Sequence, residues 1–249
     1  MQDAAMTCYP KIRPPLLPTL STPGMSVAGV DGCKAGWVVV RRNGDGCFEA
    51  PFVAKMLDAL PPTDFVVIDI PIGLPASGKR DCDQIARNLL GPRRNSVFTG
   101  VRRPLLSKKT YEEANAWAKR NGAGISKQLW GITPKIHEVD QWITPERSRT
   151  FREGHPELSF FAVAGGPMRF AKKKPGGETE RLEALASFID RATVLRWLDE
   201  ATAPGVAWDD IIDALALCRT AARVALGCHG QIPCNPPKDA RGLPMEMVF

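Results

Sequence analysis

Asp31 and Asp69 stand where an aspartate is costly. Val27 to Val30 runs four small or apolar residues into Asp31, and Phe65 to Ile68 runs four apolar residues into Asp69, with Gly32 and Pro71 close behind. A carboxylate in such a strand must be neutralised, or be compensated by a cation or by hydrogen-bond donors. Asp210 and Asp213 lie three residues apart in Trp208 to Ala216, and a helix there puts both on one face, where like charges repel unless solvent or a shared cation relieves them. A single strand-end aspartate reads as a turn or cap residue. Two of them together with a paired helix read as a carboxylate cluster, with Asp209 set aside as a structural residue of the helix start. Oxygen ligands without His or Cys suit Mg²⁺ or Mn²⁺. Two such ions about 4 Å apart can hold a phosphate and activate water, so the expected chemistry is phosphodiester hydrolysis.

A second set of residues surrounds these four. Glu153, at a strand end, is a candidate ligand or base, while Glu157 in a first helical turn is explained equally well by the helix dipole. His155 reads either as a proton shuttle or as a hydrogen-bonded structural residue. Arg93, Arg94 and Ser96 present guanidinium and hydroxyl donors that match phosphate oxygens. Arg102 to Lys109 reads equally as a phosphate grip or a solvated basic loop. Lys135 is a candidate backbone contact, whereas Lys172 to Lys174, bordered by Pro175-Gly176-Gly177, reads as a solvated loop. Trp37 and Trp142 read as core or interface residues.

The elements that must carry these side chains follow from periodicity and turn chemistry. Val27 to Val30, Trp37 to Arg41 and Phe48 to Val53, separated by glycine-rich turns, predict an antiparallel meander. Phe65 to Ile70 predicts a fully buried strand, and Arg149 to Glu153 a last one. Helices are expected around Lys55 to Leu60, over Asp81 to Leu90 and Thr110 to Arg120, from a Thr133-Pro134 cap toward Trp142, from Pro156, and from Asp190 onward with a break at Pro204-Gly205. Residues 1–24 carry five prolines and read as a disordered leader, 25–234 as the domain, and 235–249 as a C-terminal tail.

Composition narrows the class. The chain of 249 residues is 44% apolar and 24% charged, enough for one sizeable core. Its net charge of +6, from 33 basic and 27 acidic residues, permits nucleic-acid binding without establishing it. No run approaches the ~18 apolar residues of a membrane span, and prolines break up the only apolar cluster near the N-terminus, which predicts a cytoplasmic protein without a membrane partner. The seven cysteines form no Cys-x-x-Cys pair and are expected as free thiols.

Longer motifs add a resemblance. Gly29-Val30-Asp31-Gly32-Cys33-Lys34-Ala35-Gly36-Trp37, Ile68 to Leu74, Arg93 to Phe98, Pro134 to Asp140 and Glu153 to Glu157 are similar to the predicted RNase H-like nuclease family catalogued as domain of unknown function 429. The resemblance spans roughly residues 26 to 230. Ala35 stands where a second glycine often follows, and Asn95 where serine is commoner; neither removes a carboxylate. It implies an α/β fold with an RNase H-like mixed five-stranded sheet, three antiparallel strands then two parallel, flanked by helices. It also implies metal ligands at Asp31, Asp69, Asp210 and Asp213. Two other classes stay open: an ATP phosphotransferase of the actin and sugar-kinase type, and a non-catalytic binding module on the same fold.

Overall fold

The computed structural model describes residues 20–200 and 204–249. Five strands, β1 (Val27–Cys33), β2 (Gly36–Arg42), β3 (Phe52–Ala54), β4 (Phe65–Ile68) and β5 (Phe151–Glu153), form one mixed sheet in the order β3-β2-β1-β4-β5. β2 is antiparallel to both β1 and β3, and β4 runs parallel to both β1 and β5. This is the α/β sheet that the family resemblance implies, three antiparallel strands followed by two parallel ones.

Alternation along β1 and β4 decides what the two strand-end aspartates face. Ala28 and Val30 on β1 and Val66 and Ile68 on β4 pack into one core. Above it lie α2 (Tyr111–Arg120) and α3 (Lys127–Trp142). Val27 and Val67 point the other way, into a core shared with α4 (Pro156–Ala164), α5 (Gly177–Leu185), α6 (Arg191–Glu200) and α7 (Trp208–Ala225). The period of two therefore places Asp31 and Asp69 on the α7 side of the sheet. Gly29 lets the helix come close: a Cβ there would lie 1.9 Å from the Ala214 carbonyl oxygen and 2.2 Å from the Cys218 nitrogen. Strand and helix meet backbone to backbone, which fixes α7 over β1.

Several elements differ from expectation for identifiable reasons. The third strand is shorter than Phe48 to Val53: Phe48 makes only an isolated bridge to Arg42, and pairing resumes after Pro51, which has no N–H to give. Lys55 to Leu60 contains a single 3-10 turn, Leu57–Ala59. α3 begins at Lys127, six residues before Thr133, capped by Ser126, whose hydroxyl accepts the Leu129 N–H at 3.0 Å. Pro134 lies inside this helix. Its missing N–H orphans the Trp130 carbonyl, and the Thr133 hydroxyl donates to that oxygen at 2.7 Å instead. α5 was not predicted.

Both ends of the domain carry more packing than the sequence suggests. Most of the expected leader lies outside the described residues, but Leu20 and Thr22 are buried, and the Leu20 carbonyl accepts from Arg42 at 2.6 Å. The segment 235–249 is bound to the body. β7 (Met247–Val248) pairs with β6 (Gln231–Ile232), and Met247 and Phe249 join a third core with α1 (Asp81–Leu90) and α4. Arg103 bridges Asp239 to Asp140, and Arg241 reaches the Asp140 carboxylate at 3.3 Å. No helix among the described residues is long and apolar enough to cross a membrane.

Candidate active site

Asp31, Asp69, Asp210 and Asp213 all line one cleft of about 970 Å³ at the C-terminal ends of β1, β4 and β5. Asp31 is buried, and its Oδ1 accepts the Gly32 N–H at 2.8 Å. Burial, then the charges of Asp69 and Asp213, push its carboxyl well above the usual carboxylate range. Asp69 sits one residue past β4, its own N–H donating to the Val30 carbonyl at 3.0 Å, which ties it to β1 next to Asp31. Burial raises its pKa too, opposed by His155 and Lys172. Asp213 is buried on the first turns of α7 and is pushed up to about 6, by burial first and by Asp69 as well. Three remote segments thus gather carboxylates, with the charges of Asp69 and Asp213 adding to burial in raising Asp31.

The countercharge comes from a residue that the sequence reading left in a solvated loop. Lys172, between α4 and α5, puts Nζ 2.7 Å from Asp213 and 2.9 Å from Asp209. Burial works against its ammonium, but the two aspartates outweigh that and raise its pKa. Asp209 and Asp213 are one turn apart on α7 and share the face that meets Lys172. The cap at the helix start is Asp210 and not Asp209. Asp209, set aside as structural, is buried and ion-paired, while Asp210 accepts the Ala207 N–H at 2.8 Å and caps the helix.

Glu153 lies in the same cleft, but its Oε2 is already engaged by the Ile72 N–H at 2.6 Å and Arg80 Nη2 at 2.5 Å. Burial raises its carboxyl to about 8, against the pull of Arg80. Arg80, which sequence reasoning missed, is wholly buried beside Asp83 at 3.7 Å. Its partner Glu153 is 73 residues away in the chain, beyond any local pattern. Glu153 thereby holds the Ile70 to Ile72 segment behind Asp69.

His155 caps α4: Nδ1 accepts the Glu157 N–H at 3.2 Å, so the ring proton sits on Nε2, directed to the Ser96 carbonyl at 3.3 Å. Ser96 also lines the cleft, its hydroxyl donating to the Arg93 carbonyl. Arg93 turns to Glu157, at 3.8 Å, and Arg94 is exposed; neither lines the cleft. Glu157 is held mainly by buried Arg181, at 2.5 Å. Lys135 lines the wall opposite α7, with Nζ 4.2 Å from the centre of the Trp37 ring and 2.5 Å from the Gly36 carbonyl. Trp37 itself is a core residue, its Nε1 donating to Glu138. Arg102 is also structural, donating to the carbonyls of Gly100, Asn121 and Ala123.

The donor chemistry fits a hard divalent cation: carboxylate oxygens dominate the cleft, and the charges of Asp69 and Asp213 bear on Asp31, although Cys33 and His155 line the same cleft. The side chains as they stand do not form a closed cage. Among the described residues no group of three or more His, Cys, Asp or Glu is set for metal ligation, and the Lys172 ammonium takes Asp213.

Fold and site together define an α/β domain with a mixed five-stranded sheet and a carboxylate cleft at the ends of its parallel strands. The chain belongs to the family described as Protein of unknown function (DUF429), which matches residues 29–240. No curated protein and no solved structure matches it.

Proposed function

We propose that this protein hydrolyses phosphodiester bonds in nucleic acid with the help of Mg²⁺ or Mn²⁺, held by Asp31, Asp69 and Asp213 with Asp210 beside them. The observation that carries this reading is the convergence of Asp31, Asp69 and Asp213 in one cleft, where the charge of Asp69 adds to burial in raising the proton affinity of the other two. When bound, such a cation supplies Lewis-acid stabilisation of phosphate oxygens and a lowered pKa for water.

The chain's own groups supply the rest. β1 and β4 fix Asp31 and Asp69 at neighbouring strand ends, and α7 presses Asp213 against them through Gly29. The cleft wall carries Lys34, Lys55, Lys135, Lys172 and Lys173, which favours a polyanion over a neutral substrate. Lys172 neutralises Asp209 and Asp213 before substrate arrives. Glu153, held by Arg80, keeps the turn after Asp69 in place, and His155 Nε2–H secures the Ser96 side of the entrance. We place the activity in the cytoplasm, where the free thiols of Cys33, Cys47, Cys82, Cys218 and Cys228 persist reduced.

The test is a cleavage screen over single-stranded, double-stranded, hybrid and junction substrates with Mn²⁺, run beside an ATP-turnover assay with Mg²⁺. Mn²⁺-dependent cleavage that disappears in Asp31→Asn supports the proposal. ATP turnover without cleavage, or cleavage undiminished in that variant, overturns it.

A further inference from the structure

Arg219 and Arg223 stand one turn apart on α7, C-terminal to the aspartates, and neither lines the aspartate cleft. Both are buried, at 9% and 7% exposure. Among the described residues no carboxylate forms an ion pair with either guanidinium. Arg223 Nη2 donates to the Cys228 carbonyl at 2.8 Å, and both Nε–H groups are buried without an acceptor. Burial, then the neighbouring Arg223 charge, pushes Arg219 down to about 10.

Among the described residues no carboxylate acts on either guanidinium, and the one group opposing their burial is the Cys228 side chain. Arg152, nearby on β5, is matched by Glu246 at 2.6 Å and by the Gln231 side-chain oxygen at 2.7 Å. Its Nη1 meets His229 Nε2 at 3.0 Å; an arginine can only donate, so that imidazole nitrogen accepts and the ring is neutral. Burial, Arg152 and Arg223 hold His229 down at about 4. Two like charges one turn apart repel, and enclosing them without a counterion is costly. Apolar side chains would pack that position at no such cost. Guanidinium donors at this spacing suit the oxygens of a tetrahedral oxyanion.

We propose that Arg219 and Arg223 form an anion site that binds a phosphate group, separate from the aspartate cleft and about 9 to 15 Å along α7 from Asp213 by helical rise. The ligand is either free phosphate or one phosphate of a nucleic-acid backbone. Both offer the same oxygens to the two guanidinium groups.

The experiment uses the full chain in EDTA, so its outcome is independent of any divalent-cation chemistry at the aspartates. Thermal unfolding is compared in about 10 mM inorganic phosphate and in chloride of equal ionic strength. For a Kd of about 1 mM, phosphate raises the Tm by about 3–6 °C. Arg219→Met removes that response and is itself more stable in chloride. Equal Tm in phosphate and chloride, or an undiminished response in Arg219→Met, overturns the proposal. If Arg219→Met does not fold, Arg219→Lys replaces it: a response cut by half or more supports the site, and a smaller reduction overturns it. A short oligonucleotide without terminal phosphates separates the sources. An Arg219-dependent shift with the oligonucleotide identifies a chain phosphate, and one with inorganic phosphate alone identifies a free one.

Discussion

Asp31 accepts one hydrogen bond from its neighbour's N–H while the charges of Asp69, Asp213 and Asp210 all act to protonate it. Replacing it with asparagine keeps the shape and removes one repelling charge. Asp31→Asn is expected to unfold at a higher temperature in EDTA, to lose Mn²⁺ binding by calorimetry, and to cleave at least about 100-fold more slowly. A lower Tm would show that the carboxylate stabilises the fold. Lys172→Met has the opposite sign: it leaves Asp209 and Asp213 buried without their cation, costing about 3 kcal/mol, read as a lower urea midpoint in EDTA and partly restored by Mn²⁺. The aspartates were legible in the sequence because an acid that ends an apolar strand breaks a local rule. Lys172 and Arg80 were not, because a basic residue in an aperiodic stretch looks the same whether it faces water or a carboxylate 41 or 73 residues away.

Among the elements, the pairing of β1 with α7 matters most to the site. Gly29→Ala would drive a methyl group into the Ala214 carbonyl, with backbone rather than a flexible side chain in the way. We expect a loss of about 3 kcal/mol or more in chemical denaturation, and weaker Mn²⁺ binding because Asp213 is displaced from Asp31. Native stability in Gly29→Ala would contradict the close approach. α3 offers a smaller test: Thr133→Val leaves the Trp130 carbonyl without its donor next to Pro134, costing about 1 kcal/mol. The antiparallel meander was readable from short apolar runs and glycine-rich turns, and the parallel strands came with the family resemblance. The start of α3 was not, because proline usually marks a first turn and the compensating Thr133 bond is visible only once the helix is built.

For the whole molecule, the ends are part of the stability. Deletion through residue 24 removes buried Leu20 and is expected to cost about 1.5–3 kcal/mol, contrary to what a proline-rich leader suggests. Stability should also carry a signature of His229. Its pKa in the fold, about 4, lies below the unfolded value of 6.5, so the unfolded chain takes up the proton first as pH falls. The contribution is complete above pH about 6.5 and is lost toward about 4. Asp213 and Glu153, raised to about 6 and about 8, act with the opposite sign. The difference between the protein and His229→Gln isolates the histidine: the variant should lose about 1–2 kcal/mol less over that window, by urea titration at a series of pH values. Equal slopes would rule this out.

The close approach at Gly29 also divides the candidate site by timescale. Amides of β1 and of α7 around Ala214 to Cys218 lie in a buried backbone-to-backbone contact and should open to deuterium only on global unfolding. Lys172 sits instead on a connection between α4 and α5, bracketed by Gly165 and Gly176 at positive φ. Its amide should exchange through local opening, many orders of magnitude faster than those of Asp31 and Asp213. The acidic half of the centre would then be a fixed template, and its ammonium a component that comes and goes while the template stands.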